Sequence, residues 1–299
     1  EATTRKIMFA RSTNHGSSFT TVSPPLTDSP DVTQGCSIAV GPTGNVYVAW
    51  WDGTFNNLRM RRSTNGGATF SATVSVIGSA VPPPCDYACG GTTDNPCGRT
   101  AINGDIRVLP FANLAADPLD SNLVYSTWNN WNTSSQKEEI NFRRSTDGGL
   151  TWSTNPILRL NDDTFGDKFL PRMATVTYGS PASTKIRVMW YDRRNDDPHN
   201  LWPDVYQTTS TDSGQTWQMP NTRLTDAPLP LPRINPNFDC HVQSCYFGDY
   251  NGLTPVSSGT TGAFIEAWGD TRTDAGGISC RTGQSETNAD PNVWAFIGC

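Results

Sequence analysis

The sequence predicts an all-β fold, namely a β-propeller built from four-stranded antiparallel blades, and three observations support this. Gly (26) and Pro (22) are frequent among 299 residues and only 17% of residues are charged; short strands joined by tight turns give this profile, whereas long helices do not. One turn motif occurs four times, and one strand pattern also occurs four times. Such internal repetition indicates an architecture of repeated supersecondary units.

The turn motif has the form Ser-x-Asp/Asn-x-Gly-x-x-aromatic, and each copy follows a strand-like run. The Asp or Asn side chain can fold back onto nearby backbone amides, and Gly accepts a backbone conformation that other residues resist. The closing aromatic residue can anchor the turn to the sheet. We therefore expect each copy to join the third and fourth strands of a blade. The copies span residues 12–19, 63–70, 145–152 and 210–217.

The repeated strand is an apolar run that ends in Trp-x-Asp/Asn, and we predict that it is the second strand of each blade. A weaker repeat, Gly-Asp, is predicted to mark the starts of first strands. The strand runs span residues 46–52, 124–130, 186–192 and 264–270, and the Gly-Asp pairs stand at 104–105, 166–167 and 248–249.

These repeats predict four or five blades in one domain that spans residues 1–299. Full or nearly full units begin near Gly35, Gly104, Asp167 and Gly248. Residues 1–22 supply only a third and a fourth strand, and residues 291–296 resemble a third strand. We expect strands from both termini to close the ring, since closure removes exposed sheet edges.

The eight cysteines predict disulfide bonds and a location outside the cytoplasm, either secreted or periplasmic or at the cell surface. Most lie in Gly-, Pro- and Asn-rich stretches, there are only three His residues, and paired Cys-x-x-Cys motifs are missing. Disulfides are therefore favoured over a zinc site. Several pairings remain open, with Cys240–Cys245 and Cys280–Cys299 as guesses. We assume that a signal peptide has been removed.

Charge and hydropathy exclude two classes of partner. The net charge of −6 disfavours nucleic acid, which is bound through clustered Lys and Arg residues. No apolar run approaches the roughly 20 residues that a membrane span needs.

Long loops gather at one end of the predicted blades. In an antiparallel meander the second-to-third loops and the blade-to-blade loops share the end opposite the turn motif. Long loops at one rim often carry function, and these contain Arg, Asp and aromatic residues that suit sugars. The second-to-third loops are predicted at residues 52–57, 129–132, 192–197 and 270–274, and the blade-to-blade loops at 82–100, 161–169 and 225–247.

Two matching Trp-x-Asp-x-Arg segments stand in these loops and are candidates for substrate binding. An Arg can grip a carboxylate with two parallel hydrogen bonds. The alternative is an Asp–Arg pair that ties neighbouring blades together. The segments supply Trp190, Asp192 and Arg194, and Trp268, Asp270 and Arg272.

Two further residues are candidates for catalysis. Glu266 interrupts an apolar strand, so it is either a general base or activator of a Tyr nucleophile, or a structural Glu paired with an Arg. Tyr250 follows a Gly-Asp strand start and either reaches the axis or packs between blades. Asp196 and Asp197 are candidates for Ca²⁺ binding, because this ion requires several oxygen ligands.

The four turn motifs together with the Trp-x-Asp-x-Arg segments resemble the bacterial neuraminidase-repeat, Asp-box proteins of the sialidase-like family. The stretches 190–194, 204–206, 210–214 and 247–253 carry this resemblance. It implies a sialidase-like propeller, or part of a six-bladed one. It also implies Tyr250 and Glu266 as a nucleophile pair, Asp270 as a further catalytic residue, and Arg194 and Arg272 on a substrate carboxylate. The family's Arg-Ile-Pro motif is missing; the nearest string is residues 233–236.

Three functional hypotheses follow. The first is a secreted propeller that recognises glycans or other extracellular partners through its loop-rich face. The second is an exo-glycosidase of the exo-α-sialidase type that hydrolyses terminal acidic sugars. The third is a structural subunit of an extracellular assembly, because an incomplete first blade leaves an open sheet edge that invites self-association.

Overall fold

The computed structural model describes residues 6–27, 32–72, 74–84, 100–104, 106–231, 248, 251–256 and 261–272, and the backbone strands 276–278, 285–287 and 292–298. Within these residues the regular structure is entirely β. The strands are β1 (Phe9–Arg11), β2 (Thr20–Val22), β3 (Thr33–Val40), β4 (Val46–Asp52), β5 (Asn57–Ser63), β6 (Ser75–Ser79), β7 (Ala101–Ile102), β8 (Ile106–Arg107), β9 (Asn113–Ala116), β10 (Val124–Asn132), β11 (Lys137–Ser145), β12 (Leu158–Arg159), β13 (Lys168–Tyr178), β14 (Ser183–Asp192), β15 (Asp204–Ser210), β16 (Thr222–Arg223), β17 (Gly252–Val256), β18 (Ala263–Asp270), β19 (Gly276–Ile278), β20 (Ser285–Thr287) and β21 (Asn292–Gly298).

The strands form the blades of a β-propeller. Blade 1 (β3–β6), blade 2 (β9–β12) and blade 3 (β13–β16) are four-stranded antiparallel sheets, and blade 4 (β17, β18 and β21) has three strands. The N-terminal hairpin (β1 and β2) is a separate two-stranded sheet. Consecutive first strands contact each other, β3 with β9, β9 with β13 and β13 with β17. The first strands therefore form the inner row of the propeller.

The core lies between blades, and β4 shows why. All seven of its residues are buried, so both faces of the strand must be covered. One face packs on the N-terminal hairpin and the other on blade 2. The face toward the hairpin carries Val46, Val48 and Trp50, and the face toward blade 2 carries Tyr47, Ala49 and Trp51.

The interpretation of the repeated motif as a hairpin turn is confirmed. In the third copy the Ser145 hydroxyl donates to the Asp147 carboxylate at 2.7 Å, and the Gly149 N–H donates to the Ser145 oxygen at 2.9 Å. The Thr151 N–H donates to the same carboxylate at 2.9 Å. The fourth copy repeats this network. The second, third and fourth copies each join a third strand to a fourth strand, and the first copy joins β1 to β2.

The closing aromatic residues of the motif connect blades. Trp152, from the blade 2 turn, lies in the core of blade 1. Trp217, from the blade 3 turn, packs edge-on against Phe142 of blade 2 at 4.8 Å between ring centroids. Phe70, from the blade 1 turn, packs in the same way against Phe9 of the N-terminal hairpin at 4.9 Å. These three copies thus anchor their blades to the preceding sheet, whereas Phe19 of the first copy is 68% exposed.

Two boundaries differ from the prediction. Gly104 does not start a first strand: it lies in the turn between β7 and β8, and the first strand of blade 2 begins at Asn113. Gly suits a tight turn as well as a strand start, so the dipeptide alone did not distinguish them.

The loop predicted at residues 129–132 is part of β10, whose last residue, Asn132, pairs with Lys137 of β11. The Asn132 side chain accepts the Ser134 N–H at 2.9 Å and so places the turn after it.

Other predictions meet different outcomes. The predicted final third strand is confirmed, because β21 pairs with β18. Closure of the ring by both termini stays a prediction, since β1 and β2 pair with each other among the described strands.

The thiol of Cys36 is free and exposed. The other seven cysteines, and so both guessed disulfides, lie outside the described residues. Among the described residues, no helix is long and apolar enough to cross a membrane.

Candidate functional site

The two predicted arginines make matching contacts across blade boundaries. Arg194 bonds Asp192 of its own blade at 2.6 Å and Asp162, which follows the last strand of blade 2, at 2.5 Å. Its guanidinium also lies 4.1 Å from the ring centroid of Tyr206. Arg272 bonds Asp270 of blade 4 at 2.6 Å and pairs with Asp226, which follows the last strand of blade 3. Both side chains therefore tie neighbouring blades.

The carboxylates that receive these arginines belong to a repeat that the sequence analysis missed. Leu160-Asn161-Asp162 and Leu224-Thr225-Asp226 follow the fourth strands of blades 2 and 3. Leu26-Thr27-Asp28 follows β2, although Asp28 lies outside the described residues. Leu-Thr/Asn-Asp is a short, common string, and only its fixed place after the fourth strand distinguishes it. Burial alone would lower the pKa of Arg194, but the hydrogen bonds and charges of the two carboxylates raise it.

Glu266 lies between blades 3 and 4 rather than in an open cleft. Its side chain is fully buried and its Oε1 is 2.9 Å from Nη1 of Arg187 on β14. The neighbours on the same face, Phe264 and Trp268, pack into blade 3. Burial raises the pKa of the Glu266 carboxyl, and the charge of Arg187 counters part of the shift.

Among the remaining predicted site residues that the structure describes, Trp268 lies on the same face of β18 as Glu266, and Trp190 lies at another blade boundary. Trp190 is fully buried between blades 2 and 3, where its Nε1–H donates to Asp192 at 2.9 Å. Trp268 is buried between blades 3 and 4. Tyr250 lies outside the described residues. The role of these residues and of Asp192, Asp270, Arg194 and Arg272 in substrate binding or catalysis stays a prediction.

Asp196, one of the two calcium candidates, has local partners. The Asp196 carboxylate accepts the N–H groups of Leu201 and Trp202 at 2.7 and 2.8 Å, and so holds the loop after β14. Within the described part of the chain, no group of three or more acidic, His or Cys residues is placed to hold a metal ion. Asp197 is followed by Pro198 in the same loop.

A cavity of about 280 Å³ lies where the first strands of all four blades begin. The first strands are the inner row of the propeller, so this is an axial cavity. Blade 1 contributes through a bulge in β3, between Gln34 and Ser37. Blade 3 contributes through a bulge in β13, between Phe169 and Arg172. Bulges redirect side chains. The lining consists of Gly35, Cys36, Ser37, Leu109, Phe111, Ala112, Asn113, Asn129, Leu170, Pro171, Arg172 and Asn251.

Gly35 sets the position of the aromatic wall of the axial cavity. Its backbone has a φ of +63°, a conformation that side chains resist, and a Cβ there would lie 2.1 Å from Phe111 Cδ1. Phe111 therefore packs directly over the bulge of blade 1. Leu170 occupies the matching bulge of blade 3, with a φ of +51°.

The polar part of the axial cavity is rich in amides. Asn113 accepts the Met173 N–H on Oδ1 at 2.8 Å, which fixes its orientation and leaves Nδ2 without a partner among the described residues. Asn129 donates from Nδ2 to Glu138 at 3.1 Å. Asn251 donates to the Leu170 carbonyl at 2.9 Å. Arg172 donates from Nε to the Asn251 carbonyl at 2.8 Å and brings a cation to the wall.

Comparisons with protein-family models and with curated proteins give no match. Solved structures similar to this chain include an α-L-arabinanase of Penicillium chrysogenum in complex with arabinobiose, 13% identical over 89% of this chain and 62% of that one, with a TM-score of 0.45. A Hadza microbial sialidase is 13% identical over 81% and 43%, with a TM-score of 0.42. The NanB sialidase of Streptococcus pneumoniae is 12% identical over 96% and 36%, with a TM-score of 0.37. The chain thus spans less than two thirds of each of these structures.

Proposed function

We propose that the chain binds one terminal sugar residue of a glycan in the axial cavity. The observation that supports this best is the pair of amides on blade 2. Both side chains lie at the cavity wall. Among the described residues, the Nδ2 donor of Asn113 and the Oδ1 acceptor of Asn129 have no hydrogen-bond partner. A hydroxyl group both donates and accepts, so a sugar hydroxyl can satisfy both amides.

The size and apolar lining of the axial cavity favour a single ring. Its volume of about 280 Å³ is just below the usual range for ligand sites, about 300–1,000 Å³. Phe111 offers an aromatic surface against which the apolar face of a sugar ring can pack, and Leu109 and Leu170 extend it. A longer oligosaccharide would have to extend from the cavity over the loops.

Arg172 favours a sugar that carries an acidic group. The guanidinium is planar and matches a carboxylate well. Its Nε is held by the Asn251 carbonyl, which orients the side chain along the wall of the cavity. A ligand with a carboxylate at the blade 3 side and a hydroxyl at the blade 2 side would match both parts of the lining.

Binding is tested by titration calorimetry with methyl glycosides of galactose, mannose, glucose, N-acetylglucosamine and N-acetylneuraminic acid. Asn129→Leu is expected to weaken the tightest of these about tenfold, because it removes a hydrogen bond to the ligand. Asn122→Leu is the control: Asn122 is exposed in the turn before β10, away from the cavity. Equal affinity of Asn129→Leu and wild type, or failure of all five probes to bind, would contradict the proposal.

The exo-glycosidase hypothesis predicts turnover of a fluorogenic sialic-acid glycoside by the same samples. It requires Glu266 to act on substrate, yet the Glu266 carboxylate is bonded to Arg187 between blades. Turnover that Glu266→Gln and Arg272→Ala both abolish, in folded samples, would favour the enzyme over the binding protein.

Self-association is a second candidate function, and an uncovered apolar face favours it. Ile38 and Val40 on β3 are 54% and 62% exposed. By register they share a face with Val48 and Val46, which the N-terminal hairpin covers. Among the described residues, the hairpin therefore covers this face over β4, and Ile38 and Val40 on β3 stay exposed. Exposed apolar residues beside a sheet edge suit contact with another copy of the chain.

The double substitution Ile38→Lys and Val40→Lys is expected to convert an assembled chain to a monomer, because two charges would be buried at the contact. Light scattering coupled to size-exclusion chromatography measures the mass. Val76→Lys, on the outer strand of blade 1 and 49% exposed, is the control and should leave the mass unchanged. A wild-type chain that is monomeric at high concentration would rule out this function.

A further inference from the structure

The amide of Asn129 is held from behind by a buried acid. Asn129 is 1% exposed and lines the axial cavity. Its Nδ2 donates to Oε2 of Glu138 at 3.1 Å. Its Oδ1 accepts no hydrogen bond from the described residues. Because the amide can rotate by half a turn about its last bond, the partner behind it decides which atom faces the cavity.

Glu138 is held firmly in its place. It is fully buried at the start of β11, and its N–H donates to Oδ1 of Asp167 at 3.0 Å. Asp167 in turn accepts from Asn200 at 2.6 Å and lies 3.5 Å from Arg193. These contacts join the start of β11 in blade 2 to the residues just before β13 and just after β14 in blade 3. The position of Glu138 is therefore set by the frame of the propeller rather than by a ligand.

Glu138 has no ion pair among the described residues, and its Oε1 has no hydrogen-bond partner there. Burial raises the pKa of its carboxyl, the Asn129 hydrogen bond lowers it, and the charges of Asp167 and Glu139 raise it further. Burial of a carboxyl that has no cation partner among the described residues costs stability, so this group does not act as a stabilising ion pair there. Within the part of the chain that the structure describes, the Glu138 side chain makes one hydrogen bond, with Asn129.

We infer that Glu138 is a positioning residue that turns the Asn129 oxygen toward the axial cavity, so that blade 2 selects a hydroxyl which donates a hydrogen bond at that point. This inference rests on the proposed function and adds the residue that sets specificity. Asn113 is fixed in the opposite sense by Met173. Together the two amides select one orientation of a bound ring, with a hydrogen-bond donor of the ring toward Asn129 and an acceptor of the ring toward Asn113.

The test compares Glu138→Gln and Glu138→Met, using the methyl glycoside from the panel that binds wild type most tightly and its monodeoxyfluoro analogues. Fluorine cannot donate a hydrogen bond. One analogue is expected to bind wild type about tenfold more weakly than the parent. Glu138→Gln keeps an acceptor but adds a donor that can bond the Asn129 oxygen, so its discrimination should lie between that of wild type and that of Glu138→Met. Glu138→Met, of similar length without an acceptor, should reduce it to about twofold. Undiminished discrimination by Glu138→Met would overturn the inference.

A second measurement needs no ligand and no variant, and it separates this inference from the proposed function. In wild type the side-chain N–H signals of Asn129, observed by ¹⁵N NMR, should exchange slowly with solvent because the amide donates to a buried carboxyl. Rapid exchange would overturn the positioning role even if a glycoside binds. Slow exchange with no bound glycoside would support the positioning of Asn129 and count against sugar binding.

Discussion

Replacement of Glu266 by alanine is expected to lower the free energy of unfolding by about 3–5 kcal/mol. The substitution removes a fully buried carboxylate whose Oε1 lies 2.9 Å from Nη1 of Arg187. Arg187 is itself only 5% exposed. The variant would therefore leave a buried positive charge with its main counter-ion gone, between two blades that exclude water. Urea denaturation, followed by tryptophan fluorescence, measures the loss.

Two controls test this explanation. The double substitution Arg187→Met and Glu266→Leu removes both charges and fills the space, so it should be more stable than Glu266→Ala by about 2 kcal/mol or more. Glu139→Ala breaks a looser pair, 3.7 Å from an Arg159 side chain that is 43% exposed, and should cost less than about 1 kcal/mol. If Glu266→Ala and Glu139→Ala lose the same stability, the buried pair is not what joins blades 3 and 4.

Replacement of Gly166 by alanine is expected to cost about 3 kcal/mol or more of unfolding free energy. Gly166 has a φ of +72°, and a Cβ there would lie 2.7 Å from the carbonyl oxygen of Arg193. That oxygen is backbone and cannot rotate away. The shift needed to admit a methyl group would strain two nearby contacts, the Arg193 N–H bond to the Asp167 carbonyl at 3.1 Å and the Lys168 bond to the Gly166 carbonyl at 3.0 Å.

Gly44→Ala is the matched control for this prediction. Gly44 has a φ of +81°, and nothing lies within 4 Å of a Cβ built there. Its substitution therefore reports backbone strain alone, about 1–2 kcal/mol. The difference between the two variants measures the contact with Arg193. Equal losses would show that the segment before β13 is free to move, and would contradict a rigid frame behind Glu138.

The two arginines of the Trp-x-Asp-x-Arg segments show how a repeated residue can serve contact between blades, which is the alternative that the sequence left open. A residue that recurs in several blades serves what the blades share, which is contact with the next blade. Arg194 and Arg272 make that contact through Asp162 and Asp226. The residues that line the axial cavity do not repeat: blade 2 supplies Asn113, and blade 3 supplies Arg172.

The sequence by itself determined the blades, because a blade depends on local patterns. Turn chemistry and strand periodicity act between residues close in the chain, so the Ser-x-Asp/Asn turns, the second strands and the final third strand were all predicted. The first strand of blade 2 was misplaced because Gly104 suits a turn as well as a strand start.

Only the tertiary structure decided where a ligand can bind. The axial cavity gathers Ser37, Asn113, Arg172 and Asn251 from four blades, and two of these walls are redirected by bulges. Glu138 stands behind Asn129 because β10 continues to Asn132 and pairs with β11. Such positions depend on how blades pack around the axis, and hydrophobic packing has no sequence signature that specifies which polar side chains it brings face to face.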